Sequence, residues 1–185
     1  MGKSSPRTDA DRFQQGLAMI SAELAQAVAA VEAAEARRLA EAILTADAVF
    51  VAGEGRSGLI ARCFAMRLLQ LGRRAYVAGE TTAPAAEKGH LLIAVSRSGD
   101  TRVTCTRAET ARARGLHVAA ITAAPGSPLA KLATLRLLLS AESDQYGGSL
   151  FEQAALVVLD GLALLLQHHL GQTSAEMDAR HANLE

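Results

Sequence analysis

Asp47-Ala48-Val49-Phe50-Val51-Ala52, followed at once by Gly53-Glu54-Gly55-Arg56-Ser57-Gly58, sets the architecture. The first six residues form a short, largely apolar run that stops at glycines, the pattern of a buried strand. Ile60, Phe64, Leu68 and Leu71 then recur at helical spacing, with Ser57 placed to cap that helix and Gly72 to close it. The unit repeats along the chain. Residues 75–78 and 91–95 give a second and third strand, residues 101–114 a helix ended by Gly115, and residues 118–121 and 135–139 a fourth and fifth strand. Strands that are apolar on both faces and alternate with helices predict a parallel sheet covered on each side. The expected fold class is therefore α/β, a three-layer αβα sandwich around a five-stranded parallel sheet.

Helices flank this core. Leu17, Ile20, Leu24, Val28 and Val31 mark one amphipathic helix, and a second spans residues 34–44. Residues 149–170 form a helix that is apolar nearly all round, from Leu150 and Phe151 to Leu166, and so belongs in a core or a subunit interface. Residues 1–9 read as a flexible start, and the polar tail 173–185 as one last short helix. The whole is expected to be one domain, with residues 1–45 a helical segment, 46–140 the sheet core and 149–185 the C-terminal helices.

Composition narrows the function. Half of the 185 residues are hydrophobic, enough for a sizeable core, while 19 basic and 19 acidic residues leave no net charge. Broad electrostatic binding to nucleic acid or membrane is thus not expected, although a local anion site is compatible. Aromatics make up 3% with no Trp, which argues against base-stacking platforms. Cys63 and Cys105 form no CxxC pair, so neither a disulfide framework nor a structural zinc site is indicated. The polar first ten residues do not read as a signal peptide, and the apolar run 154–166, broken by Asp160 and Gly161, reads as too short for a bilayer span. A soluble cytoplasmic protein is expected.

Ligands of an open parallel sheet bind beyond the carboxyl ends of its strands, and two such ends carry unusual loops. The first, 53–58, fits GxGxxG and leaves three readings open: a dinucleotide fingerprint with Glu80 as the ribose acid, a tight turn with glycines for backbone reasons alone, or a phosphate loop in which Ser57 donates its hydroxyl. The second is Ser96-Arg97-Ser98-Gly99-Asp100-Thr101, just before a helix. Three hydroxyls in six residues, beside the free N–H groups of a helix start, make a cradle for an anion, whereas plain capping needs only one. A dinucleotide fold does not call for a second cradle, so a monophosphorylated ligand is the better expectation. Glu152, at the start of the apolar helix, suits a base, though an acid there also fits simple helix-dipole stabilisation. His90 and His117 begin strands at the end away from the loops and read as structural. His168 and His169 read as solvated.

The Ser-x-Ser-Gly-Asp-Thr loop, preceded by a Gly-Arg-Ser turn after the first strand, resembles the sugar isomerase (SIS) domain. Gly55-Arg56-Ser57-Gly58 with Phe64-Ala65-Met66-Arg67-Leu68, the run 148–153 (Gly-Ser-Leu-Phe-Glu-Gln), and the ending His181-Ala182-Asn183-Leu184-Glu185 are similar to the 6-phospho-3-hexuloisomerase family. Arg97, where the family usually has a small residue, and Tyr146-Gly147, in place of Pro-Met, depart from it. The resemblance implies a SIS domain of flavodoxin-like Rossmann topology. It also implies interconversion of D-arabino-3-hexulose 6-phosphate and D-fructose 6-phosphate through a cis-enediol, in ribulose monophosphate formaldehyde fixation. It further implies no organic cofactor and no metal, and a homo-oligomer, commonly a tetramer. By motif position, Gly55, Arg56, Ser57, Ser96, Ser98 and Thr101 would bind the sugar phosphate. Glu152 would be the catalytic base, and His181 would complete an active site, that of a neighbouring subunit being one arrangement. An isomerase of arabinose 5-phosphate or another sugar phosphate, and a non-catalytic sugar-phosphate-binding SIS module, remain the alternatives.

Overall fold

The computed structural model describes residues 8–140 and 142–184. Most of the expected flexible start, residues 1–7, lies outside these. Thr8 caps the first helix, α1 (Asp9–Ala29), in a capping box with Asp11, so Asp9 is already helical. The elements that follow are α2 (Ala33–Thr45), β1 (Val49–Ala52), α3 (Gly55–Gln70), β2 (Ala75–Val77), β3 (Leu91–Val95), α4 (Arg102–Ala113), β4 (His117–Thr122), α5 (Pro128–Leu132), β5 (Leu135–Leu138), α6 (Ser149–Leu170) and α7 (Ser174–Asp178).

The five strands form one parallel sheet in the order β2-β1-β3-β4-β5. Successive residues of a strand point to opposite faces, and here both faces are dry. Val49, Val51, Leu91, Ile93, Ala119 and Ile121 face one layer with α2, α3 and α6. Phe50, Ala52, Leu92, Ala94, Val118 and Ala120 face the other, with α4 and α5. The three-layer α/β architecture expected from the sequence holds.

Several local expectations need correction. Helix α3 opens at Gly55, not at Ser57, because Glu54 already has the extended backbone of an N-cap (φ −121°, ψ 153°); Ser57 sits buried inside the first turn. Helix α5 was not anticipated, although Ser127 caps it through Ala130 N–H and Pro128 stands at its start. The tail contributes only the five residues of α7 as helix, capped by Thr173. Finally, α6 runs for 22 residues and is long and apolar enough to cross a bilayer by length and composition. One face of it packs into the core through Phe151, Ala154, Ala155, Leu159 and Leu166.

Candidate active site

Strand β1 lies between β2 and β3, so the chain leaves it toward α3 on one face and leaves β3 toward α4 on the other. The crevice at such a reversal is where ligands of open α/β sheets bind. Here the loops after β1 and β3 meet around a cavity of about 170 Å³ lined by Glu54, Ser57, Val95, Ser96, Arg97, Ser98 and Thr101. Four hydroxyls that the sequence places in two loops thus share one pocket.

Neither helix start beside it has a side-chain cap: the side chains of Glu54 before α3 and Thr101 before α4 accept from no N–H of the first helical turn. Their first N–H groups stay available, and two helix N-termini direct partial positive charge at the same place. Plain capping by Thr101 is therefore not what its hydroxyl does. Thr101 Oγ1 pairs with Ser96 Oγ at 3.1 Å. Ser96 Oγ also accepts from Gly99 N–H at 3.2 Å, and Ser98 Oγ from Asp100 N–H at 3.3 Å. Each hydroxyl is oriented by its loop yet retains hydrogen-bonding capacity.

Backbone geometry requires a glycine of the GxGxxG pattern. A Cβ on Gly58 would lie 2.7 Å from the Gly53 carbonyl oxygen, so α3 can pack this close to β1 only without a side chain there. Glu80, the acid of the dinucleotide reading, is in an ion pair with Arg62 of α3. Glu54 also lines the cavity, and Arg107 of α4 neutralises it. Sequence reasoning missed this pair, because its partners stand 53 residues apart.

Glu152 approaches from the third direction. Phe151, Ala154 and Ala155 are wholly buried and fix the rotation of α6, turning Glu152 to a half-buried position with a side chain only 14% exposed. Arg56, 63% exposed, forms an ion pair with Glu152 Oε2. Apart from that ion pair, the buried Oε2 has no hydrogen-bond partner among the described residues. The arginine beside it offsets the cost of holding a carboxylate in so sheltered a place.

His181 is not part of this assembly within its own chain. The preceding Arg180 donates to the carbonyl of Gln70, at the far end of α3 from Gly55. Sixteen residues of helix separate the two ends, about 24 Å at 1.5 Å per residue. Of the other histidines, His90 fits its structural reading, since it is buried, stacks on Phe50 and accepts from Glu87 N–H, whereas His117, read likewise, is exposed; His168 and His169 are exposed, as their solvated reading expects. Among the described residues, no group of three or more His, Cys, Asp or Glu is arranged to hold a metal ion.

This fold and pocket define a SIS-domain protein, and residues 42–164 match the SIS domain model. The chain is 41% identical over 184 residues to 3-hexulose-6-phosphate isomerase of Mycobacterium gastri, covering 95% of this chain and 92% of that one. It is 39% identical to the same enzyme of Bacillus subtilis, covering 91% and 97%. A crystal structure from Methanococcus jannaschii, for which a 3-hexulose-6-phosphate isomerase function was inferred, superposes with a TM-score of 0.85 at 33% identity, covering 92% of this chain and 99% of that one. The chain belongs to the SIS-domain family of 3-hexulose-6-phosphate isomerases.

Proposed function

We propose that the chain interconverts D-arabino-3-hexulose 6-phosphate and D-fructose 6-phosphate by moving a carbonyl between C3 and C2. The observation that carries this reading is the convergence of four hydroxyls and two uncapped helix starts on one cavity, with the Glu152 carboxylate next to it. The phosphate occupies the cavity, held by Ser57, Ser96, Ser98 and Thr101 and by the backbone of Gly55 and Arg56. A 3-ketose esterified at O6 cannot close a five- or six-membered ring, so it arrives open-chain and needs no ring-opening acid.

Glu152 removes the proton from C2, the C3 carbonyl takes up the electrons, and a cis-enediol forms. The same carboxyl group returns its proton to C3 as the carbonyl is re-formed at C2. The proton shifted between O2 and O3 needs a second group, and His181 supplies it from a neighbouring subunit. That arrangement is supported by the distance between His181 and the pocket of its own chain, and by exposed apolar side chains on two packed helices: Leu59 and Met66 of α3, and Leu156, Val157 and Leu164 of α6. The reading extends to a cytoplasmic homotetramer that works without metal or organic cofactor in ribulose monophosphate formaldehyde fixation.

The test is a coupled assay in which formaldehyde, ribulose 5-phosphate and a hexulose-phosphate synthase feed the reaction and fructose 6-phosphate is the readout. The Glu152→Gln variant should retain phosphate affinity and lose turnover by about 10²–10⁴-fold, the worth of a positioned general base. Well-folded wild-type protein that forms no fructose 6-phosphate would overturn the assignment.

A further inference from the structure

The reaction proposed above leaves Arg97 without a role. Its backbone is fixed: its carbonyl oxygen accepts from Thr122 Oγ1 and from Ala123 N–H, both at 3.1 Å, and Thr122 is wholly buried. From this anchored peptide the side chain leaves the anion pocket toward the start of α6. A Cβ at Gly148 would meet Arg97 Cδ at 3.0 Å and Nε at 3.1 Å, and the same point lies 3.5 Å from Glu152 Oε1. The guanidinium therefore passes over the α6 N-terminus in space that a glycine leaves open, on the path from the hydroxyl pocket to the carboxylate.

Charge accounting separates Arg97 from Arg56, Arg62 and Arg107. Arg56 is engaged by Glu152, Arg62 by Glu80 and Arg107 by Glu54. No carboxylate lies within ion-pair distance of Arg97 among the described residues. It is also the one cation among the residues lining the cavity, whose only acid, Glu54, is already matched.

We propose that Arg97 is a substrate-binding residue that closes over the phosphate group as its counter-charge. The inference rests on the isomerase reading for the identity of the substrate. A phosphate ester near neutral pH carries close to two negative charges, which hydroxyls and helix dipoles solvate but do not neutralise. A planar guanidinium can meet two phosphate oxygens at once.

Two measurements on the full chain test this: steady-state kinetics with the hexulose phosphate, and binding of inorganic phosphate by titration calorimetry. Replacing an exposed arginine that contacts phosphate should weaken binding about tenfold. Arg97→Ala should thus raise KM and the phosphate dissociation constant by that factor each, with kcat within about twofold of wild type, because the lost contact is equal in ground and transition states. Arg97→Lys, which keeps the charge, should recover most of the loss, and matched melting curves would exclude a folding defect. Unchanged phosphate affinity in Arg97→Ala would overturn the proposal, as would a fall in kcat with phosphate binding intact, which would place the guanidinium on the ketone. Wild-type protein that binds phosphate but turns nothing over would defeat the isomerase reading alone, and the calorimetric comparison would still decide the role of Arg97.

Discussion

Gly99 shows how tightly single residues shape the hydroxyl-lined cavity. Its φ of +61° is a left-handed conformation, and a Cβ there would fall 2.0 Å from Ser127 Oγ and 2.5 Å from Ser127 Cβ. Its carbonyl accepts from Leu129 N–H at 2.9 Å and from the Cys105 thiol at 3.5 Å, so α5 and α4 both grip the loop here. Burial pushes the Cys105 thiol above its ordinary pKa, which keeps it a neutral donor. Gly99→Ala adds left-handed strain of about 1–2 kcal/mol to overpacking of about 1–3 kcal/mol. The expected result is a stability loss of about 2–5 kcal/mol in a denaturant titration, together with weakened phosphate binding. A variant that kept both would show that the Gly99–Ser127 contact yields easily.

At the scale of elements, α1 positions the segment that presents α6. Glu23 accepts from Ser143 Oγ at 2.6 Å, from Asp144 N–H at 3.0 Å and from Gln145 Nε2 at 2.8 Å. Those hydrogen bonds, that of Ser143 foremost, hold its carboxyl below the ordinary glutamate range. A depressed pKa means that the ionised form stabilises the fold above the unfolded value, and that this contribution disappears as pH falls through the folded value. Glu23→Gln should therefore melt earlier than wild type at pH 7, with the difference shrinking as pH drops below an ordinary glutamate's value of about 4.3. Hydrogen exchange at Asp144 N–H should be faster in the variant at pH 7. A melting difference that persisted undiminished well into acid would refute the ionic origin. The same element explains why α1 is helical at all: its capping box starts it, but only Ala27 is buried along its length. Phe13 and Leu17 remain exposed, so the apolar stripe read from the sequence is only partly used within this chain.

At the scale of the molecule, the two groups assigned to proton transfer do not meet in one chain. Glu152→Gln and His181→Ala proteins should each be inactive, yet mixed oligomers should regain activity. If every site takes its base from one subunit and His181 from another, random mixing in equal amounts reconstitutes about a quarter of the sites. Complementation that failed in verified mixed oligomers would remove His181 from the shared-site scheme. Mixing requires exchange of subunits, for which the apolar surface of α3 and α6 is the proposed contact.

The order of strands and helices was legible in the chain because a sheet buried on both faces leaves continuous apolar runs, and glycines mark their ends. The hydroxyl loop was legible for a related reason: three short donors within six residues have no common structural purpose. Other features depend on contacts that local patterns do not encode. Ser57 became a buried pocket residue, not a cap, once Glu54 began the helix. Glu54 found Arg107, Arg56 found Glu152, and Arg97 found the gap at Gly148 through packing of distant segments. Sequence by itself determined the layers and the hydroxyl-bearing loops, since periodicity and turn chemistry act over a few residues. Only tertiary structure decided which charges are matched, that the Arg97 side chain lies over the start of α6, and that His181 stands a helix length from the pocket, because pairing and distance arise when remote parts of the chain are brought together.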